Sequence, residues 1–247
     1  MVQVSNYAEK AGSRFRRGQS WKINLFGANS NVSSPELQAF RLDFNANQTL
    51  DAHFHIVDQF QVFVEGDGTI GRDSVGPIVV HYADHHTGYG PLVASPYGMT
   101  YFTLRSKTDA GLNFLREPHV REKLQPTKRR HRMSRKIILS NEPVLADRTE
   151  VVIEDALDAQ DDDEGIAVKM VRMGPNMQAP APDTGESGGE YLLVLNGSII
   201  HDGHALDKYS LLFVRADEAP PVLTAGPGGA EVLVTRYPAE SEWMKSI

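Results

Sequence analysis

The stretch DAHFHIVDQFQVFVEGDG, residues 51–68, governs how the rest of the chain is read. It places His53 and His55 one residue apart, followed by Gln59 and then Gly66. Successive side chains of a strand alternate between its faces, so residues i and i+2 point the same way. On a strand, His53 and His55 therefore aim both imidazoles at one side. If that side lines a barrel interior, the two rings can share one ion, and further donors must come from neighbouring strands. HYADHHTGYGP, residues 81–91, supplies His81, His85 and His86. Five of the nine histidines thus fall between residues 53 and 86, a clustering that points to a metal.

The surrounding chain sets the limits. Its 247 residues suffice for one large domain or two small ones, each with a real core. It has no cysteine, which excludes disulfides, thiolate metal sites and cysteine nucleophiles. A formal net charge of -7 argues against a nucleic-acid partner. The opening MVQVSNYAEKAGSRFRRGQS lacks the apolar core of a secretory signal and reads as a flexible or partly helical arm over 1–20. No apolar run approaches the roughly 20 residues of a membrane helix. The expectation is a soluble cytoplasmic protein with a small-molecule substrate and neither a membrane nor a nucleic-acid partner. A homodimer is left open.

Residues 21–105 read as short strands between turns. Phe40, Leu42 and Phe44 alternate with Ala39, Arg41 and Asp43, the period of a half-buried strand. Gly, Pro, Asn and Asp mark the breaks at NANQ, EGDG, GYGP and SPYG. The basic run REPHVREKLQPTKRRHRMSRK, 116–136, reads as a linker with room for a short helix, its charges solvated or paired with acidic loops of the same chain. Strands resume at Lys136, and the acidic run 161–164 with Gly165 reads as a turn. Many short strands, twice over, predict an all-β chain of two antiparallel barrels or sandwiches. A faint echo joins the halves: six residues separate Gln59 from Gly66, and six separate Glu190 from Gly197.

The opening stretch resembles the first motif of the cupin superfamily: His-x-His, three or four residues, Glu, six residues, Gly. His53, His55, Gln59 and Gly66 fill it, with Gln59 in place of the usual Glu. The second motif, Pro-x-Gly-x-x-His-x-x-x-Asn, placed on His81, Ala83 and His86, makes His86 the third metal histidine, with His85 and His81 as alternatives. In the second half Glu190 and Gly197 keep the tail of the first motif, but no His-x-His precedes Glu190, and His201 and His204 read as surface turn residues. The resemblance implies a bicupin, two double-stranded β-helix (jelly-roll) barrels: a metal-binding barrel over 21–115, the linker, and a barrel without a metal motif over 137–247.

The implied centre is His53, His55, Gln59 and His86 around a divalent transition metal: Fe, Zn, Ni, Mn or Cu. Three neutral imidazoles and a neutral amide would leave the ion its full charge, which favours a chelating or anionic ligand. Gln59 is no general base at neutral pH, so Tyr82 and Asp84, with Asp58 beside them, are the candidate proton-transfer groups. The expected function is an oxygenase-like, metal-dependent enzyme. The alternative is a non-catalytic small-molecule binder in which the metal is structural or holds the ligand.

Overall fold

The computed structural model describes residues 2–158, 164–182 and 187–247, so most of the acidic run expected as a turn, at 161–163, lies outside the described residues. The chain divides into two units. One comprises Ser13–Ile137 with Ser241–Ile247, and the other Ile138–Glu240 with the N-terminal residues up to Gly12. Both are antiparallel β structures, and no helix among the described residues is long and apolar enough to cross a membrane.

In the first unit a sheet runs in the order His131–Met133, Val79–Ala83, Gln59–Ile70, Leu92–Arg105, Gln38–Phe44, Ser20–Phe26, Phe15–Arg17. The alternation read from Gln38–Phe44 is what separates its faces. Phe40, Leu42 and Phe44 line a cavity, while Arg41 and Asp43 meet on the opposite face at 2.7 Å. Phe44, Phe63, Leu92, Met99 and Tyr101 fill one end of the interior. Each such side chain, fully buried, contributes roughly 1.5–3 kcal/mol.

The second unit repeats the plan, in the order Gln3–Ser5, Leu211–Val214, Glu190–His201, Val222–Arg236, Ala167–Met173, Val152–Asp155. Leu192, Val194, Leu212, Val232 and Val234 form its core. The interval shared by Gln59–Gly66 and Glu190–Gly197 has a structural counterpart. Gly66 and Gly197 adopt φ of 66° and 65°. A Cβ on Gly66 would lie 2.2 Å from the Gly98 carbonyl oxygen, and one on Gly197 2.1 Å from that of Gly229. Each long strand thus turns against its antiparallel neighbour at a point where only glycine fits. Gly197→Ala should cost on the order of 2–3 kcal/mol in urea unfolding, from left-handed strain plus backbone collision. Gly203 has φ 77° with nothing within 4 Å of its Cβ position, so Gly203→Ala carries the strain alone and should cost about 1 kcal/mol. Equal costs would show that the close approach is not what demands glycine.

Two segments carry the short helices the sequence reading allowed, and in addition strands it did not expect. The expected arm, 1–20, is structured: Gln3–Ser5 pairs with Leu211–Val214, Asn6 caps the turn of helix Tyr7–Lys10, and Phe15–Arg17 pairs with Ser20–Phe26. The expected linker, 116–136, holds the one-turn helix Pro118–Arg121 and the strand His131–Met133, which pairs with Val79–Ala83. In both places pairing with strands remote in sequence overrides a locally unpromising pattern. The basic run also contributes a buried ion pair, Arg129 Nε to Asp84 Oδ1 at 3.0 Å.

Candidate metal and ligand site

His53 lies on the short strand His53–Phe54, and its backbone exchanges two hydrogen bonds with Tyr89, each 3.0 Å. That ladder brings the Tyr89 hydroxyl beside the His53 ring. Gln59 and Gln61 stand on one face of Gln59–Ile70, and His81 is paired with Gln61 across the sheet. The His53 and His55 rings are 5.1 Å apart, as the His-x-His spacing requires.

Hydrogen-bond polarity can be followed through this cluster one atom at a time. Arg105 has only donors, and its Nε and Nη2 point at Gln59 Oε1 at 3.0 and 2.8 Å. The Gln59 amide nitrogen donates to the Tyr89 hydroxyl oxygen. Tyr89 accordingly donates to His53 Nε2, 3.1 Å away. His53 Nδ1 then carries the proton and donates to the Asp51 carbonyl at 2.7 Å. His55 Nδ1 donates to Asp109 Oδ2 at 2.7 Å and lies 3.2 Å from the Gly111 carbonyl oxygen. Both rings therefore hold their lone pair on Nε2.

Burial and electrostatics keep these rings neutral. Desolvation, then the neighbouring His55, lowers His53 to about 3. Desolvation and then Arg105 lower His55. Desolvation alone would raise Asp109, but His55, Arg105 and the Gly111 amide hold it well below the ordinary carboxylate range. Tyr89 is raised by burial. So is Tyr101, with Tyr89 adding to it, and both phenols stay protonated.

A cavity of about 330 Å³ opens onto this cluster, lined by His53, His55, Gln59, Tyr89, Tyr101 and Arg105 together with Arg17 and Lys22. His86, Tyr82 and Asp84 are not part of its lining. The ring of His86 lies 5.7 Å from Phe54 and 4.7 Å from Trp243. Phe54 is the residue between the two histidines, so its side chain takes the opposite face. Only the His86 backbone approaches the pair, its amide donating to the His55 carbonyl at 2.7 Å. His85 is turned away too, with Nδ1 3.0 Å from His86 Nδ1 and Nε2 3.0 Å from Ser241 Oγ. Tyr82 alternates with His81 and so packs on Phe60, 4.9 Å between rings, and donates to Asp84 Oδ1 at 2.7 Å. Asp84 is held in turn by Arg129. Asp58, raised to about 7 by burial and then by Asp84, belongs to this second network. The structure therefore unites His53, His55 and Gln59, and separates His86, Tyr82 and Asp84 from them. His81 is nearer: Nδ1 donates to Gln61 Oε1 at 3.0 Å, and Nε2 is buried without a hydrogen-bond partner.

The sequence reading took Tyr101 as an aromatic that could line a cavity, which it does, but gave neither Tyr101 nor Arg105 a place in the second motif. Pro96, Gly98, Tyr101 and Arg105 have the spacing of the second cupin motif, with Tyr101 in the histidine position and Arg105 in the asparagine position. The Pro-x-Gly pair was the available signal, hidden because no histidine follows it.

A divalent ion can be weighed against these donors. His53 and His55 suit it: both are neutral and both have their tautomer fixed by a partner on Nδ1. Gln59 does not, because its oxygen already accepts two bonds from a guanidinium, and Tyr101 is a protonated phenol. Among the described residues no three His, Cys, Asp or Glu side chains are grouped to hold one ion.

No protein-family model matches the sequence, and no curated protein matches it. Solved structures do. Escherichia coli pirin YhhW in complex with nickel(II) aligns at a TM-score of 0.60 and 12% identity, over 97% of this chain and 100% of that one. A candidate dioxygenase from Nostoc punctiforme aligns at 0.58 and 10%, over 98% and 84%. A Bacillus subtilis oxalate decarboxylase variant aligns at 0.55 and 12%, over 98% and 78%, and another structure of that enzyme concerns its Mn(II) centres. Likeness at this level of identity establishes architecture, and the architecture of this chain is the all-β, jelly-roll fold of the cupins.

Proposed function

We propose that the chain is a bicupin whose first unit is a metal-dependent site for a small anionic organic molecule, with oxygenase-type chemistry on a chelating substrate. The observation that carries this reading is the pair of neutral imidazoles, their Nε2 lone pairs fixed, in a cavity lined by Arg17, Lys22 and Arg105. His53 Nε2 and His55 Nε2 would hold the ion, and the Tyr89 hydroxyl would turn away from His53 to permit it. A first-row divalent ion held there would supply Lewis acidity and redox chemistry toward a chelating anion. The chain's own part is to fix both tautomers through Asp51 and Asp109, to attract the anion through its cations, and to shield it from water.

A second reading is a non-catalytic binder that takes the anion without a metal. It is favoured by the guanidinium on Gln59, by Tyr101 in the third histidine position, and by the placement of Tyr82 and Asp84 away from the cavity. Elemental analysis of untagged protein, with oxygen uptake on 1,3-diketones and catechols, separates the two. About one metal per chain with uptake supports the first. Metal-free protein that anions stabilise without uptake supports the second.

Gln59→Glu tests the charge argument. The new carboxylate would pair with Arg105, cancel one positive charge and remove the donor to Tyr89. Binding of an anionic ligand should weaken roughly tenfold, while retention of a divalent ion should tighten. Titration calorimetry with both reads the outcome, and two unchanged affinities would mean the site lies elsewhere.

A further inference from the structure

Lys22 is an unusual component of the cavity wall. It comes from the strand Ser20–Phe26 and is 4% exposed, yet it lines the same cavity as His53, His55 and Arg105. Its Nζ donates to Asn29 Oδ1, and the Phe40 ring lies 3.5 Å away. Among the described residues no carboxylate pairs with it. Its charged neighbours are Arg17 and Arg105, both of its own sign. A buried ammonium without a counter-ion and beside two guanidinium groups is destabilised relative to the free amine. The Phe40 ring favours the ammonium, but burial first, then Arg17 and Arg105, bring Lys22 down to about 7. A purely structural lysine would have a carboxylate or an exposed head group; Lys22 is buried and among the described residues meets no carboxylate.

We infer that Lys22 is a nucleophilic amine that condenses with the carbonyl group of a ligand held in this cavity. The Nζ lone pair adds to the carbonyl carbon. Both amine protons then leave with the carbonyl oxygen as water, and a carbon–nitrogen double bond forms, with no change of oxidation state. The choice of an anionic carbonyl compound, a 2-oxo acid, rests on the reading of the cavity as an anion site. The role of Lys22 as the amine does not.

The test uses the full-length protein at pH 7 with sodium cyanoborohydride and either pyruvate or neutral propanal, followed by proteolysis and mass spectrometry. The reduced adduct adds the mass of the probe less one oxygen. Adduct on Lys22 should exceed that on exposed lysines such as Lys123 and Lys136 by at least about tenfold, because an amine titrating near neutrality is about half unprotonated at pH 7, whereas an ordinary exposed lysine is almost wholly protonated there. Lys22→Arg should abolish it, with circular dichroism reporting the fold. Marking by both probes, with pyruvate favoured, supports the inference and the anion reading together. Marking by propanal alone keeps the amine and overturns the anion reading. Adducts spread over exposed lysines, with none on Lys22, overturn the inference on wild-type protein alone.

Discussion

Arg105→Ala should destabilise the first unit by about 3–5 kcal/mol, a fall in melting temperature of roughly 10 °C. The guanidinium is 4% exposed and satisfies several groups at once. It donates twice to Gln59 Oε1, once to Gln38 Oε1 at 2.6 Å, and lies 3.5 Å from Asp109 Oδ2. Alanine leaves Asp109 buried and charged with less support. It also strips Gln59 Oε1 of both donors, so the polarity running through Tyr89 to His53 is no longer fixed. Arg105→Lys should recover only part of the loss, because one ammonium cannot match the forked geometry. Thermal and urea unfolding of the full chain read the effect, and a loss below about 1 kcal/mol would show that this network is not structurally important.

Replacing His53 and His55 together by alanine should have the largest effect on binding. Ligand affinity should fall a hundredfold or more, about 3 kcal/mol, and any metal content should be lost. The fold should persist, because Asp109 keeps Arg105 and the Ile56 and Gly111 amides as partners. His201→Ala with His204→Ala is the control. Those residues face each other across the turn between Glu190–His201 and His204–Asp207, in the other unit. Their loss should leave metal and ligand binding unchanged. Full metal content in the first double variant, or its loss in the second, would move the site.

Strand periodicity and turn chemistry were enough to read the fold class, because alternation such as Phe40-Arg41-Leu42 is set by the pleat itself. The same parity decides which of the expected site residues reach the cavity. Whether His81 or Tyr82 faces the interior depends on the register of Val79–Ala83 against Gln59–Ile70, and no local pattern states that register. His86 was attractive as a histidine, but its φ of 56° belongs to a turn that carries its ring to the other side of Phe54. Arg105 was legible only as a strand residue. Its importance comes from Gln38, Gln59 and Asp109 converging on it from separate segments.

The assignment of the two ends of the chain to opposite units has a consequence during synthesis. Gln3–Ser5 must wait for Leu211–Val214 before it has a partner. The segment around His85 and Ile56 must wait for Ser241 and Trp243, which bond to them at 3.0 and 2.7 Å. A chain emerging from the ribosome at about 5–20 residues per second therefore cannot complete its first-made half on its own. Residues 13–137 would spend several seconds or more with the Ile56 carbonyl lacking the Trp243 indole that it accepts from in the finished fold.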